Sequence, residues 1–330
     1  MGWLFNLVNL HMTNGDLRPL SVTRKTALAR DICAFELRHP DGTALPATTA
    51  GSHIQVQTPN GVLRPYSLCG DPMVTDCYTI AVKREAQGRG GSVSMVDHLN
   101  VGDTLWVGEV QNHFELSDKA RSFVLVAGGI GITPIMAMMH ALHQEGLRPF
   151  KLLYLTRDEP VTAFAQELRD SPWAGSVTLH HDHGDPRQAH DLWKWFEKPV
   201  AGCHVYCCGP TPLMDAVRDM TGHWPEQAIH FESFVADTKQ QADDVPFEVE
   251  LARSQRQLHV QVGQTLLQAL RDSGTQVASS CESGTCGSCK VGLLEGVADH
   301  RDMVLLPEER ERCIMPCVSR AISQKLVLDL

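Results

Sequence analysis

The pattern of apolar and polar positions changes character twice along the chain. From about residue 17 to 117, short apolar stretches at 32–37, 53–57 and 78–82 are separated by turn signals, Pro40-Asp41-Gly42, Pro59-Asn60-Gly61 and Gly70-Asp71-Pro72. Regularly spaced short strands with such turns predict an antiparallel β-barrel or sandwich. One helix is expected there, over 92–99, directly after Gly88-Arg89-Gly90-Gly91. A glycine-rich turn that opens a helix leaves N–H groups free for a phosphate. From about 119 to 236 strands and helices alternate. Strands are expected at 123–127, 151–155, 176–180 and 204–207, and helices at 133–143, 164–169, 189–196 and 212–220. Pro134 suits the first turn of its helix. This rhythm predicts an open parallel sheet that binds ligands beyond the carboxyl ends of its strands.

Residues 237–245 (DTKQQADDV) are polar and read as a linker. Beyond them come a hairpin (247–251 with 258–262), a helix at 264–272, a strand at 290–294, a short helix near 307–310, and strands at 313–318 and 325–328. Mixed strands on one helix suit a small ferredoxin-like β-grasp module. The chain is therefore multidomain. It reads as an N-terminal extension (1–16), an antiparallel β-barrel (17–118), an α/β parallel-sheet nucleotide domain (119–236), a linker (237–245) and an α+β β-grasp domain (246–330).

Composition narrows the function. At 330 residues, two or three domains fit the length, and 43% apolar with 21% charged residues is ordinary for a globular chain. The formal charge of −10, without any Lys/Arg-rich block, excludes a phosphate-tracking nucleic-acid surface. Apolar residues among the first twelve (Trp3, Leu4, Phe5, Leu7, Val8, Leu10) lack a basic flank and a cleavage site and are too few to span a bilayer. We expect no membrane partner and a cytoplasmic location. Eleven cysteines, an odd number with one tight cluster, suit a reducing compartment with metal chemistry.

That cluster is Cys281-Glu282-Ser283-Gly284-Thr285-Cys286-Gly287-Ser288-Cys289. Its C-x4-C-x2-C spacing is that of a plant-type ferredoxin loop around a two-iron centre, which needs four Cys ligands. Glycines and serines between the thiols allow the backbone angles and N–H groups that wrap inorganic sulfide. Zinc sites bring their ligands as two separated pairs, and no second C-x2-C is present. The fourth thiolate is Cys313 or Cys317. On one strand these two would lie ~13 Å apart, so only one can reach the cluster, and periodicity does not choose.

Three further constellations carry chemistry. Arg64-Pro65-Tyr66-Ser67-Leu68 offers a flavin a cation for its phosphate, an aromatic face and a hydroxyl near the ring's N5, on an extended segment. Gly128-Gly129-Ile130-Gly131-Ile132-Thr133-Pro134 follows a strand and opens a helix, and Cys208-Gly209-Pro210 ends another strand of the same sheet. Together they put two glycine turns at one rim, where a pyrophosphate or nicotinamide would lie. Cys207 reads as core packing, and Cys208 as part of the turn. After the second strand, Asp158 and Glu159 would repel a 2′-phosphate and favour NAD over NADP, whereas Arg157 works against that preference. His180-His181-Asp182-His183 alternates in direction and reads as a polar loop, not a metal site.

Taken in order, RPYSL at 64–68, GRGGS at 88–92, GGIGITP at 128–134, CCGP at 207–210 and CESGTCGSC at 281–289 resemble the phthalate dioxygenase reductase type of class IA oxygenase reductases, over about residues 17–330. The resemblance implies an FMN domain, an NAD domain and a C-terminal ferredoxin, in that order. It implies that Arg64, Tyr66, Ser67, Ala81, Val82, Lys83, Arg89, Gly90, Gly91 and Ser92 contact FMN. It implies that Gly129, Ile130, Gly131, Thr133, Pro134, Cys208, Gly209 and Pro210 handle NADH, to which the residue reading above adds Asp158. Ser67, Cys208 and Phe234 would stand at the hydride-transfer centre, and Cys317 would join Cys281, Cys286 and Cys289 as the fourth iron ligand. The implied activity is NADH-dependent reduction, through FMN and a 2Fe-2S cluster, of a Rieske-type terminal aromatic-ring dioxygenase, with phthalate dioxygenase the first expectation. The partner of a vanillate-type O-demethylase or another aromatic oxygenase is the alternative. A redox-sensing interaction protein without turnover would need a broken nicotinamide site, and the intact GGIGITP and CCGP turns argue against it. A monomer is expected.

Overall fold

A computed structural model describes residues 17–88, 90–234, 244–279 and 282–330. The first unit is a six-stranded antiparallel sheet built from β1 (Arg18–Ala29), β2 (Ile32–Arg38), β3 (Ser52–Gln57), β4 (Leu63–Ser67), β5 (Tyr78–Lys83) and β6 (Thr104–Asn112), with helix α1 (Gly91–His98) between β5 and β6. The order is β4-β3-β6-β1-β2-β5. An antiparallel bridge between Leu68 and Ile80 brings the two outer strands together and closes the barrel, which removes the open edges. Alternate residues of these strands, including Leu20, Phe35, Leu37, Ile54, Val56, Ile80 and Leu105, fill its interior. Lys25 of β1 reaches α1, where its ammonium donates to the carbonyls of Val96 (2.7 Å) and Leu99 (2.8 Å). A cation there complements the negative end of the helix dipole and fixes the helix against the barrel.

The second unit holds β7 (Ser122–Gly128), α2 (Ile132–Glu145), β8 (Phe150–Thr156), α3 (Ala165–Asp170), β9 (Val177–His181), α4 (Trp193–Phe196), β10 (Cys203–Cys208), α5 (Thr211–Met220) and β11 (Ile229–Glu232). All strand pairs are parallel, in the order β11-β10-β7-β8-β9. Strand order reverses between β7 and β10, and a crevice forms at such a switch point. Helix α4 is four residues long instead of the eight expected at 189–196. Asp185 caps a 3₁₀ turn at Pro186–Gln188, and Ala189 then adopts an extended conformation, so the helix starts only at Trp193.

The third unit contains β12 (Phe247–Leu251), β13 (Arg256–Val260), α6 (Leu266–Asp272), β14 (Val291–Glu295), β15 (Ala298–Asp299), α7 (Pro307–Arg310), β16 (Cys313–Ile314), β17 (Arg320–Ala321) and β18 (Lys325–Leu328). The mixed sheet β13-β12-β18-β14-β16 packs Phe247, Val249, Leu251, Leu293, Ile314, Leu326 and Leu328 against Leu266 and Leu270 of α6. Thr265 caps α6 by accepting from the Gln268 N–H. The expected strand at 313–318 stops at Ile314. The chain turns there, with Ser319 N–H bonded to the Met315 carbonyl at 3.0 Å, so Cys313 and Cys317 do not share a strand.

Most of the expected linker (237–243) lies outside the described residues, as does the extension 1–16. Asp244 does not behave as a linker residue. Its carboxylate is buried and ion-paired with Arg301 and Arg320, and Arg320 in turn lies 5.2 Å over the Phe247 ring. Removing one partner of such a pair would strand a buried charge, so Asp244 belongs to the third unit.

The parallel sheet also buries a histidine stack. His230 on β11 hydrogen-bonds His204 on β10 at 2.9 Å and stacks on Tyr206 at 4.3 Å. Burial, reinforced by His204, lowers the His230 pKa from 6.5 to about 4. Above pH 6.5 the ring is neutral in both folded and unfolded chains. Below it the unfolded chain takes up a proton that the folded one refuses. Urea midpoints are therefore expected to fall between pH 6.5 and 4, and a His230→Phe protein should lose less of its midpoint over that window.

Candidate functional site

On β4, Arg64 and Tyr66 occupy one face and Ser67 turns to the other. The Arg64 stem lies over Gly91. A Cβ on Gly91 would stand 3.3 Å from Arg64 Cγ and 3.5 Å from Nε. Gly90, the residue before α1, takes a left-handed φ of 82° and leaves the helix without a side-chain cap. A cation and an uncapped helix start thus meet at a bare glycine backbone, which fits the phosphate of a flavin mononucleotide. Ser92 is turned away, since its hydroxyl accepts from the Glu85 N–H at 3.0 Å and closes the loop. Arg89 lies outside the described residues. Burial, partly offset by Arg64, pushes the Tyr66 phenol up to about 12, so it stays neutral. Ala81 and Val82 are buried in β5, which leaves only their backbone to meet a ligand, and the exposed Lys83 pairs with Glu85 at 3.2 Å.

In the second unit the two glycine turns are packed backbone to backbone. A Cβ on Gly131 would lie 2.2 Å from the Cys208 carbonyl oxygen, and one on Gly209 would lie 3.0 Å from Gly128 Cα. Gly131, Thr133 and Pro134 are buried, with the Thr133 hydroxyl donating to the Ile130 carbonyl at 3.0 Å. These residues build the rim. Gly129, with φ of 54° and open space where a Cβ would stand, and Ile130, half-buried, face the crevice. Cys208 is the last residue of β10 and not part of the turn. At 0% exposure its thiol is pushed well above its ordinary pKa, first by burial and then by the Glu232 carboxylate. It cannot serve as a thiolate. Beyond β8, Asp158 pairs with His183 at 2.7 Å, while Glu159 pairs with His181 at 3.1 Å and with Arg169. His180 contacts the Gln188 carbonyl, so the histidine run has separate partners.

Glu232 went unnoticed in the sequence. Parallel pairing of β10 with β11 sets it opposite Cys208. The Ser67 hydroxyl of the barrel donates to Glu232 Oε2 at 3.4 Å. Ser67, Cys208 and Glu232 therefore converge where the first two units meet. Phe234, 44% exposed, follows two residues later. An acidic residue closing a short strand at the ligand-binding rim was the one available sequence signal.

In the third unit Cys289 and Cys317, each 2% exposed, share one small core with Leu267, Leu305 and Met315. Cys313 is half-buried at the edge of that core and lies opposite Gly292 on β14. Gly284 has a φ of 76°, and a Cβ there would meet Val318, so the loop is seated on the turn that carries Cys317. The Ser288 N–H points at Cys286 Sγ (3.5 Å), and the Ser288 hydroxyl lies 3.1 Å from that sulfur. Donors aimed at a thiol suit a thiolate ligand of an iron–sulfur cluster. Cys281 lies outside the described residues, but Arg271 of α6 bonds both Ser279 before it and Glu282 after it (2.6 Å).

A β-barrel with a phosphate cradle, a parallel sheet with a paired glycine rim and a thiol-bearing β-grasp unit define an iron–sulfur flavoprotein reductase. Residues 125–219 match the oxidoreductase NAD-binding domain, and residues 249–321 the 2Fe-2S iron-sulfur cluster binding domain. The chain is 54% identical, over 94% of its length and 96% of the relative's, to the phthalate 4,5-dioxygenase oxygenase reductase subunit of Pseudomonas putida. It is 52% identical to phthalate dioxygenase reductase of Burkholderia cepacia, over 96% and 98% of the two chains. A solved phthalate dioxygenase reductase, described as a modular structure for electron transfer from pyridine nucleotides to 2Fe-2S, superposes with a TM-score of 0.73 at 52% identity over 95% and 98% of the chains. The chain belongs to the phthalate dioxygenase reductase family. It is an NADH-dependent oxidoreductase with a 2Fe-2S cluster binding domain. No helix among the described residues is long and apolar enough to cross a membrane.

Proposed function

We propose that this chain is the reductase component of a phthalate dioxygenase system and that its partner is a Rieske-type terminal oxygenase. It would act in the cytoplasm as a monomer, with domains at 17–118 and 119–236 and a third that includes Asp244 and runs to 330. Bound FMN would supply a two-electron acceptor for the NADH hydride and a one-electron donor to the 2Fe-2S cluster. The chain's own part is placement. Arg64 and the α1 start hold the phosphate end of the flavin. Gly129, Ile130 and the 209–210 turn hold the dinucleotide, with Phe234 at the nicotinamide entrance. Ser67 and Glu232 offer a hydroxyl and a carboxylate between flavin and nicotinamide, and buried Cys208 keeps water from that point. Cys281, Cys286, Cys289 and Cys317 are the iron ligands. The observation that carries this reading is the convergence of Ser67, Cys208 and Glu232 from two units at the rim of one crevice. Mixing the purified chain with NADH, O2, phthalate and a phthalate dioxygenase oxygenase should give dihydroxylated product. Product formed only with an oxygenase of another substrate class would overturn the phthalate assignment.

The carboxylates beyond β8 set the choice of nucleotide. We expect kcat/KM for NADH to exceed that for NADPH by about 100-fold, since like charges forced together cost several kcal/mol. Asp158→Ala should shrink the ratio by roughly tenfold, because this change removes one of the two repelling charges. Equal kcat/KM values in the unaltered chain would point to Arg157 as the dominant group.

A further inference from the structure

The segment that closes the parallel sheet touches more than the crevice. Glu232 accepts from Ser67, while the next residue faces the cluster loop: the Ser283 hydroxyl donates to the Ser233 carbonyl at 2.6 Å, and both serines are 5% exposed. A second contact links the same loop to the barrel. Ser288 Oγ lies 3.3 Å from His113 Nε2, just beyond β6. The His113 ring is 5.6 Å from that of His53, and His53 pairs with Ser67 in the β3–β4 register. Both contacts land on the residues between the proposed iron ligands. Around them the interface is loosely filled. A cavity of about 370 Å³, lined by Met214, Arg218, Ser233, Ser283, Asp302 and Met303, separates α5 from the third unit. Met303 packs against the apolar cluster below α5 and supplies an adaptable contact that does not fix an angle.

We propose that Ser283 and His113 are positioning residues for transfer between flavin and cluster. Ser283 ties the cluster loop to the strand end that carries Glu232 and Phe234, and His113 ties it to the barrel through Ser288. Neither group touches a reacting atom. Each holds one side of the loop, so that the third unit rests in a single orientation between the other two. A buried hydroxyl–carbonyl bond is directional, and losing it leaves a buried carbonyl with one fewer donor.

This inference rests on the proposed NADH–flavin–cluster order, and the test separates the two. Ser283→Ala, His113→Ala and the double variant are mixed with NADH anaerobically, and the flavin and cluster bands are followed. Reduction of the flavin should stay at the wild-type rate in all three. Flavin-to-cluster transfer should slow by about fivefold in each single variant and about 25-fold in the double, because two contacts that stabilise one docked state add in free energy. The cluster's EPR spectrum and midpoint potential should not move. Small-angle scattering should show a larger radius of gyration for the double variant. His113→Gln, which keeps a donor within reach of Ser288, should recover transfer to within about twofold of wild type. His113 sits on an exposed loop, so its variants test the idea even if Ser283→Ala folds poorly. Wild-type transfer in the double variant would overturn the inference, as would slowing accompanied by an altered EPR spectrum or potential, which would mean a distorted cluster. Failure of NADH to reduce the cluster of the unaltered protein would instead overturn the underlying order.

Discussion

Cys317→Ser is expected to lose the 2Fe-2S cluster, whereas Cys313→Ser keeps it. Two irons bridged by sulfide need four thiolates, and a hydroxyl is a poor substitute for one. The two candidates sit in different surroundings. Cys317 lies on a turn after Ile314 and shares a nearly dry core with Cys289, and the cluster loop rests on its neighbour Val318 through Gly284. Cys313 is held by its β16 pairing with Gly292 and stays half-buried at the edge. Iron content of the Cys317→Ser protein should drop, and electron delivery to cytochrome c should fall by at least about tenfold, since metal affinity in a thiolate site depends on each ligand. NADH should still bleach the flavin at a rate within about twofold of wild type, because Ser67, Glu232 and the glycine rim lie on the first two units and Cys317 on the third. Visible spectra and iron assays decide it. Cluster loss in Cys313→Ser with retention in Cys317→Ser would reverse the ligand assignment.

Gly131→Ala is expected to slow the hydride step severely while sparing the cluster. The new methyl would sit 2.2 Å from the Cys208 carbonyl oxygen and 2.8 Å from the Gly209 nitrogen. Both are backbone atoms, so no side chain can rotate out of the way. One of the two turns must move, at a cost on the order of 3 kcal/mol in overpacking. The moving parts are the rim itself, and displacements of about 1 Å can cost 100-fold in an oriented reaction. Flavin reduction by NADH should therefore slow by roughly 100-fold. Reduction of the cluster by dithionite should remain. Gly175→Ala, in the same unit but away from the rim, makes the control: its Cβ meets nothing within 4 Å and its φ is not positive, so its effect should be much smaller.

Features set by neighbours in sequence were legible; features set by register were not. The spacing of Cys281, Cys286 and Cys289 is a local fact, and so is a glycine turn that follows a strand and opens a helix. Both pointed to their chemistry before any fold was known. Glu232 acquires its place only when β11 pairs in parallel with β10 and the barrel brings Ser67 to meet it. No window of sequence contains both residues. Strand periodicity over 313–318 could not choose a ligand, because it assumed a strand where the chain turns. The polar run ending at Val245 looked uniformly solvated, yet Asp244 is buried between two arginines that lie 57 and 76 residues further on. Helix α4 is shorter than its apolar pattern for a similar reason. Its first turn yields to an Asp185 cap upstream, which an apolar pattern does not register.

The order of reduction tests the central claim most directly. An anaerobic stopped-flow mix of the purified chain with NADH should show the flavin band bleaching first and the cluster band following, in a protein that carries one flavin and two irons. The same mix with Cys317→Ser should retain the first phase and lose the second. Bleaching of the cluster band in advance of the flavin, or zinc in place of iron and sulfide, would contradict the account.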